Sequence, residues 1–373
     1  MVTLELTRRG ALKLAGGTIA GSHRQPRSNQ SPDDVLVHVG YENRARHRSL
    51  KHLSKRTIRD FAFDAVTLRL SGRDVERIAN FNDIRYVEPV RPVYAHEETL
   101  NYGVDRVDAD IAHDHDETGE GAHIAVVDTG IDNGHNRLKP NLGQGKAIVR
   151  AGWFHLTPWD DDHGHGSHCA GILGACKPKG GVTSESTLHS VKVLNAGGKG
   201  NTDDVAKGIE YVAKQGWDVA NLSFGTEQSD LLADAVRFAD EHGVLLVGSA
   251  GSEEAGYPAR EQEVLAVGAT DPDDDVADFS PTDGSVDLLA PGVDVRSTVP
   301  NGFDRRSGTS MASAHVSGVA GLLMAEGRTA DETRDWLLET AEDLDYTEDE
   351  QGAGLVDAAR ATGYDSSPDM TTH

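Results

Sequence analysis

Three short segments carry residue types that can perform nucleophilic and acid–base chemistry. In the first, Ser310 follows a Gly-Thr corner and enters a run of small and apolar residues that predicts a buried helix. At the start of such a helix the serine N–H is unpaired, and the positive end of the helix dipole lies beside it. This arrangement suits a nucleophile whose reaction creates an oxyanion. An isolated serine at this position would instead be interpreted as a helix cap.

The other two segments supply a carboxylate and an imidazole. Asp128 ends the apolar run 124–127, which predicts a buried strand, although an Asp at such an edge is also common as a turn residue. His165 lies in a cluster of Asp, His and Cys at residues 161–171, at the start of a predicted helix. That cluster could alternatively hold a metal, but a metal would need ligands from a second segment, and no matching pair is found.

Taken in chain order, Asp128, His165 and Ser310 form a set that can transfer an acyl group. The carboxylate would orient the imidazole and stabilise its cation. The imidazole would take the serine proton and later give it to the leaving amine. The three segments together therefore predict serine-hydrolase chemistry, which none of them predicts alone.

Strands alternate with helices from about residue 97 onwards. The strands are predicted at residues 123–127, 187–194, 218–223, 244–248 and 264–268. The helices are predicted near residues 165–173, 203–215, 229–241, 310–325 and 330–342. This alternation favours an α/β fold in which helices cover both faces of a mostly parallel sheet. Functional residues then belong at the carboxyl ends of the strands.

The chain before residue 97 predicts two further parts. Residues 33–96 read as a small α+β domain, with strands at 35–39, 65–70 and 84–89, a basic segment at 44–59 and a helix at 72–80. Residues 1–31 contain the pair Arg8 and Arg9 before a short apolar stretch, which is typical of a twin-arginine export signal, and then a linker. A chance arginine pair on a cytoplasmic protein is the alternative.

Composition excludes several classes of protein. Asp and Glu outnumber Lys and Arg by 61 to 36, and the net charge of −25 is opposite to that of a nucleic-acid binder. Excess carboxylate indicates a protein kept soluble in concentrated salt. No apolar run approaches the roughly 20 residues that span a membrane. We expect a monomer that binds neither nucleic acid nor membranes.

The two cysteines, Cys169 and Cys176, exclude a disulfide framework. If one helix holds both, their Cα atoms are about 10 Å apart, which is too far for a bridge. We therefore expect two free thiols, unless the helix ends before Cys176. Cys169 follows His165 by four residues and should pack behind the site as a small apolar group.

The chain resembles the subtilisin-like serine proteases, or subtilases, and its acidity resembles that of secreted halophilic members. The order Asp, His, Ser on an α/β sheet is that of subtilisin. The resemblance extends from about residue 33 to 362 and rests on residues 127–132, 165–171, 221–225, 289–293, 308–313 and 352–358.

This resemblance implies a subtilisin-like three-layer fold and a serine endopeptidase that acts through an acyl-enzyme. Asp128, His165 and Ser310 would be catalytic, and the chemistry would require no cofactor. Residues 33–96 would be an inhibitory propeptide, cut between His96 and Glu97. Residues 97–364 would be the catalytic domain and 365–373 a tail. The partners would be protein or peptide substrates and the chain's own propeptide.

The resemblance also implies a first specificity pocket. One wall carries Ser223, Phe224 and Gly225, the opposite wall carries Ser249, Ala250 and Gly251, and Gly256 leaves the floor open. An uncharged and fairly roomy pocket favours apolar side chains.

The chain departs from the family pattern at the oxyanion hole. Ser252 stands where the family has an Asn that donates a hydrogen bond, and no Asn occurs between Asn221 and Asn301. The Ser310 N–H and the shorter Ser252 hydroxyl would then form the hole, and we expect a slow enzyme. The alternative is a catalytically impaired subtilase-fold protein that binds peptides or partners, which the replacement of a family Pro by Ala314 also favours.

This sequence indicates a calcium-binding site less strongly than the usual family sequence does. Arg137 stands near the position of a family Asp that binds calcium, which argues against that site. The acidic loop 271–275 could bind a cation, but a solvated loop is the simpler interpretation. The sequence therefore predicts no particular metal site.

Overall fold

A computed structural model describes residues 34–53, 56–61, 63–90, 101–149, 158–176, 180–252 and 254–366. These residues fall into two compact units, divided between Glu97 and Glu98. The expected export signal at 1–31, the expected cut between His96 and Glu97, and most of the expected tail lie outside the described residues.

The first unit has an α+β fold built on a four-stranded antiparallel sheet of order β2-β3-β1-β4. Its elements are β1 (Asp34–Tyr41), α1 (Arg44–Leu53), β2 (Arg56–Asp60), β3 (Ala65–Ser71), α2 (Gly72–Ala79) and β4 (Ile84–Pro89). Alternate side chains of β1 and β3 are buried with Leu50 of α1 and Ile78 of α2. The basic segment 44–59 therefore forms a helix and then a strand, and the strand β2 was missing from the prediction.

The second unit contains a seven-stranded sheet in which every neighbouring pair is parallel. The strands of this unit are β5 (His123–Asp128), β6 (Leu142–Ala147), β7 (Thr187–Lys192), β8 (Val219–Leu222), β9 (Leu245–Ser249), β10 (Gly251–Ser252), β11 (Glu254–Ala255), β12 (Val264–Thr270), β13 (Leu288–Pro291), β14 (Val295–Val299) and β15 (Gly302–Arg306). The order in the sheet is β13-β12-β9-β8-β5-β7-β6. The α/β prediction is confirmed, but the two edge strands β6 and β13 were not predicted.

Helices cover both faces of this sheet. They are α3 (Tyr102–Arg106), α4 (Ala109–Asp114), α5 (His165–Gly174), α6 (Thr202–Gln215), α7 (Asp230–Asp240), α8 (Thr309–Ala325), α9 (Ala330–Glu339), α10 (Glu348–Gln351) and α11 (Ala358–Ala361). Among the described residues, no helix combines the length and apolar character needed to cross a membrane.

The alternation of side chains along β5 shows how the layers form. Ile124 and Val126 join the core that contains α5 and α8, whereas Ala125 and Val127 join the core that contains α6 and α7. Asp128 continues the alternation of Ile124 and Val126, so its carboxylate faces the layer of α5 and α8. The sheet therefore directs the acid toward the two helices that begin with His165 and Thr309.

Glycines let α8 approach the sheet closely. A Cβ atom at Gly321 would lie 2.4 Å from Cδ1 of Ile124, and one at Gly318 would lie 2.5 Å from Cβ of Val182. A larger residue at Gly321 would push α8 away from β5, and one at Gly318 would push it away from the loop before β7. Close packing of this helix fixes the position of Ser310 in its first turn.

The two cysteines do not share a helix, because α5 ends at Gly174. Both are nevertheless free thiols, Cys169 buried and Cys176 partly exposed. Cys169 packs in the core between the sheet and α8, as expected.

Candidate active site

Asp128 and His165 form a buried pair at the carboxyl end of the sheet. The Asp128 side chain is fully buried, and Nδ1 of His165 lies 2.9 Å from both of its carboxylate oxygens. The Thr129 N–H donates a further hydrogen bond of 2.6 Å to Oδ1 of Asp128. Because Nδ1 donates to the carboxylate, Nε2 is left as the acceptor nitrogen of a neutral His165.

The charges around His165 set its proton affinity. The Asp128 carboxylate raises the pKa of His165 above its ordinary value, while burial and the positive charge of Arg306 act against that rise. A base whose pKa is raised in this way takes up a proton more readily.

Asp161 holds the start of α5, a role that the sequence did not reveal. Its Oδ2 accepts hydrogen bonds from the N–H and hydroxyl of Ser167, at 2.9 and 2.6 Å. Its Oδ1 accepts from the Thr129 hydroxyl at 2.9 Å and from the N–H groups of His163 and Gly164 at 2.9 and 2.8 Å. Burial raises the pKa of Asp161, but these hydrogen bonds outweigh burial and hold the pKa below its usual value. The sequence did contain a signal for this role, since Asp161 precedes His165, the first residue of a predicted helix, by four residues.

Ser310 lies in the first turn of α8, next to the helix that carries His165. Its carbonyl oxygen accepts a hydrogen bond of 3.7 Å from the Cys169 thiol, one turn after His165 in α5. The Ser310 hydroxyl donates to the carbonyl oxygen of Ser223 at 3.2 Å. Among the described residues, no hydrogen bond joins Ser310 to His165. The structure thus brings the Asp–His pair together and places Ser310 on the helix packed against α5, with its hydroxyl turned to another acceptor.

A buried polar network supports Ser310 from behind. The Ser223 hydroxyl lies 3.2 Å from the Ser310 carbonyl oxygen and 2.9 Å from the Ser313 hydroxyl, and it accepts from Asn221 at 2.8 Å. The Asn221 side-chain oxygen in turn accepts from the Ser317 hydroxyl at 3.0 Å. These bonds join the end of β8 to α8. Ser313 and Ser317 were not predicted as site residues, although they follow Ser310 on the same helix.

A metal is a poor fit to the Asp, His and Cys cluster. The ligand atoms of Asp128, His165 and Cys169 lie within 4.8 Å of one another. However, burial raises the pKa of the Cys169 thiol well above its ordinary value, and metal binding requires the thiolate. The Asp128 carboxylate is also already bonded to His165 and Thr129. These residues fit a proton relay better than a metal site.

The predicted pocket walls lie at the ends of the neighbouring parallel strands β8 and β9. Ser223, Ser249 and Ala250 are buried, and Gly251 is partly buried. A Cβ atom at Gly256 would lie 3.5 Å from Cα of Gly225, so the predicted floor borders the predicted wall. The side chain of Phe224 packs instead against the core of α6 and α7, because it alternates to the other face of the sheet. Phe224 can therefore line the pocket only with its backbone.

Ser252 lies in the short hairpin β10–β11, and its side chain is exposed. The hairpin is joined to the start of α8, since the Thr309 hydroxyl lies 3.1 Å from both the N–H and the carbonyl oxygen of Gly251. Within the described part of the chain, the Ser252 hydroxyl makes no hydrogen bond. Ser252 is therefore near the first turn of α8 but is not fixed by a partner.

Comparison with known proteins identifies this arrangement. The model of the Subtilase family matches residues 119–355. The chain belongs to the subtilase family. M-protease of Shouchella clausii is 37% identical over 307 residues, which cover 80% of this chain and 79% of that protein. Subtilisin Savinase of Lederbergia lenta is 38% identical over 275 residues, covering 71% of this chain and 99% of that protein.

Thermitase of Thermoactinomyces vulgaris is 38% identical over 276 residues, covering 70% of this chain and 96% of that protein. The subtilase is thus a serine endopeptidase, and its substrates are proteins or peptides. The prediction of a subtilase with an α/β fold is confirmed.

Arg306 gives this subtilase a testable pH dependence. A Cβ atom at Gly164 would lie 3.1 Å from Nη2 of Arg306, so the guanidinium lies over the start of α5. Because its positive charge lowers the pKa of His165, Arg306→Gln should raise that pKa. We expect the acid limb of the kcat/KM profile to move to higher pH, and to move less in high salt.

The matched control for this prediction is Arg305→Gln. Arg305 is the neighbouring residue on β15 and forms an ion pair of 2.8 Å with the exposed Asp294. Neighbouring strand residues point to opposite faces, so this change should leave the acid limb in place. An equal shift in both variants, or none in Arg306→Gln, would contradict the assignment.

Proposed function

We propose that this subtilase hydrolyses peptide bonds through Asp128, His165 and Ser310, with an acyl-enzyme intermediate. The observation that carries the proposal is the fully buried Asp128 carboxylate, which accepts the Nδ1–H of His165 at 2.9 Å. A buried carboxylate in this position fixes the tautomer of the imidazole and stabilises the imidazolium that forms during the reaction.

The proposed steps conserve every proton. The Ser310 hydroxyl first leaves the Ser223 carbonyl and turns to Nε2 of His165, since catalytic hydrogen bonds are often unformed before substrate binds. Oγ then attacks the peptide carbonyl carbon while its proton passes to Nε2. His165 gives that proton to the leaving amine, and the acyl group stays on Ser310. Water, deprotonated by His165, then attacks the acyl carbon, the bond from that carbon to Oγ of Ser310 breaks, and His165 returns the proton to Oγ as the acid product leaves.

The proposed oxyanion hole combines two donors of unequal quality. The Ser310 N–H lies in the first turn of α8, where N–H groups have no partner within the helix and the helix dipole favours negative charge. Ser252 would supply the second donor through its exposed hydroxyl. Its short side chain would need a shift of the β10–β11 hairpin or a bridging water, which predicts a slow enzyme.

The proposed substrate binds as an extended strand beside the ends of β8 and β9. Ser223, Gly225, Ser249, Ala250, Gly251 and Gly256 would line the first specificity pocket, with the backbone of Phe224. Gly225 is exposed and has no atom within 4 Å of its side-chain position, so its backbone is open to a peptide. The uncharged lining favours apolar side chains.

The subtilase would be made as a self-inhibited precursor. In this proposal residues 33–96 form the propeptide, the cut falls between His96 and Glu97, and residues 97–364 are the catalytic domain.

Arg8 and Arg9 would direct export, after which the net charge of −25 would keep a monomer soluble in concentrated salt. The proposed chemistry uses only groups of this chain and requires no cofactor, while calcium at the Arg137 position is disfavoured.

Maturation of the full chain tests the triad and the precursor together. We expect the wild type to trim itself near residue 97 and to be labelled at Ser310 by a fluorophosphonate probe, because its hydroxyl is activated by His165. Ser310→Ala should remain at full length and unlabelled. The measurement is N-terminal sequencing and mass spectrometry after incubation in high salt.

The second candidate function is peptide or partner binding without catalysis. It is favoured by the exposed side chain of Ser252, whose hydroxyl makes no hydrogen bond to any of the described residues. A wild-type protein that is neither labelled nor active on casein after its residues 1–96 have been removed would support this candidate and contradict the enzyme.

Ser252→Asn tests the oxyanion-hole proposal by a gain of function. An Asn side chain reaches farther and carries an N–H donor, so kcat should rise while KM changes little. In a subtilisin, losing the Asn donor costs about 10²–10³ in kcat, which sets an upper limit for the gain. Ser252→Ala should lower kcat further. Equal kcat values in the Asn, Ala and wild-type proteins would show that residue 252 does not contact the oxyanion.

A further inference from the structure

Lys192, the last residue of β7, is completely buried, and the proposed reaction does not use it. It pairs in register with Asp128 of β5. Leu188 of the same strand joins the core of α5 and α8, whereas Val191 joins the core of α6 and α7. By this alternation Lys192 faces the same layer as Asp128.

The Lys192 ammonium joins two segments of the active site. Nζ donates to the carbonyl oxygen of Thr129, and it lies 2.6 Å from Oδ1 of Asp162, whose side chain is 8% exposed. Thr129 follows Asp128 at the end of β5. Asp162 lies in the loop that leads into α5 and His165. One buried cation thus bonds to the residue that follows the proposed acid and to the loop that precedes the proposed base.

Thr129 is the link through which Lys192 can act on Asp128. The Thr129 N–H donates to Oδ1 of Asp128 at 2.6 Å. Its hydroxyl donates to Asp161 and accepts from the Gly166 N–H, both at 2.9 Å. With Lys192 on its carbonyl oxygen, every polar group of Thr129 is bonded. Without the ammonium, the Thr129 carbonyl oxygen would lose its bond to Lys192 and, among the described residues, Thr129 would be held to the α5 side by its hydroxyl alone. The Thr129 N–H would then be less firmly aimed at Asp128.

Stability alone does not account for a buried ion pair here. Removing an ammonium and a carboxylate from water costs free energy that their attraction repays only in part, and well-packed apolar replacements are often neutral or stabilising. A positional role explains why the pair is present at this place.

We propose that Lys192, paired with Asp162, is a positioning residue that holds Asp128 and His165 in register for proton transfer. The inference rests on the proposed triad chemistry. It adds a function for two residues that touch neither substrate nor the reacting atoms.

The test compares Lys192→Met and the double variant Lys192→Met/Asp162→Leu with the wild type. Displacement of the catalytic groups lowers the rate of reaction. It should not weaken substrate binding, because the substrate is proposed to bind beside the end of β8. We expect kcat and the rate of fluorophosphonate labelling to fall about 10–100-fold per folded molecule, with KM within about twofold of wild type. The double variant removes both charges of the Lys192–Asp162 pair, so it should be more thermally stable than Lys192→Met while its rate stays as low.

Leu188→Ala is the matched control for loss of stability. Leu188 is fully buried in the same strand, four residues or about 13 Å from Lys192. Its truncation should lower Tm but leave kcat per active site unchanged.

The outcomes separate the inference from the function on which it rests. A wild type that neither cleaves peptides nor reacts with the probe would contradict the triad proposal. An active wild type with a folded double variant of equal kcat and labelling rate would overturn the role of Lys192 alone. If Lys192→Met does not fold, the double variant decides the question.

Discussion

Burial of the Asp128 carboxylate is the constraint on which the site depends. A buried carboxylate is costly unless hydrogen bonds replace its lost water. The Thr129 N–H and Nδ1 of His165 supply these bonds, so the sheet and α5 are held together by the same contacts that orient the imidazole. The alternation of β5, which directs Ile124 and Val126 into the core beneath α5 and α8, also directs Asp128 toward His165. Fold and chemistry therefore share one geometric requirement.

The rest of the site consists of buried hydrogen bonds and an ion pair that hold this geometry in place. Asp161 accepts hydrogen bonds from the backbone at the start of α5. Lys192 links the turn after β5 to Asp162 in the loop before α5. On the serine side, the network of Asn221, Ser223 and Ser313 joins β8 to α8. Each of these contacts is buried and polar, and its groups are paired, as a rigid catalytic framework requires. The Ser310 hydroxyl and the β10–β11 hairpin are less constrained, and both lie where substrate is proposed to bind.

Much of this arrangement could be predicted from the sequence, because strong local patterns define it. The apolar run before Asp128 predicted a buried strand end, and the small residues after Ser310 predicted a buried helix. The edge strand β6 was missed because its residues are mostly glycine or polar and alternate weakly. The support from Asp161 was missed although Asp161 precedes His165 by four residues, and the support from Lys192 was missed because a lysine at the end of a strand is usually solvated. The motif placed Phe224 in the pocket wall but did not show that its side chain packs on the opposite face of the sheet.

The most direct test of the central claim is the pKa of His165, measured by NMR titration in Ser310→Ala, where autolysis is prevented. The account predicts a value above the ordinary 6.5, because the Asp128 carboxylate stabilises the imidazolium. It also predicts that the pKa falls when Asp128→Asn is added. A pKa at or below 6.5 that does not respond to Asp128→Asn would contradict the claim that the buried carboxylate controls the proton affinity of the His165 imidazole.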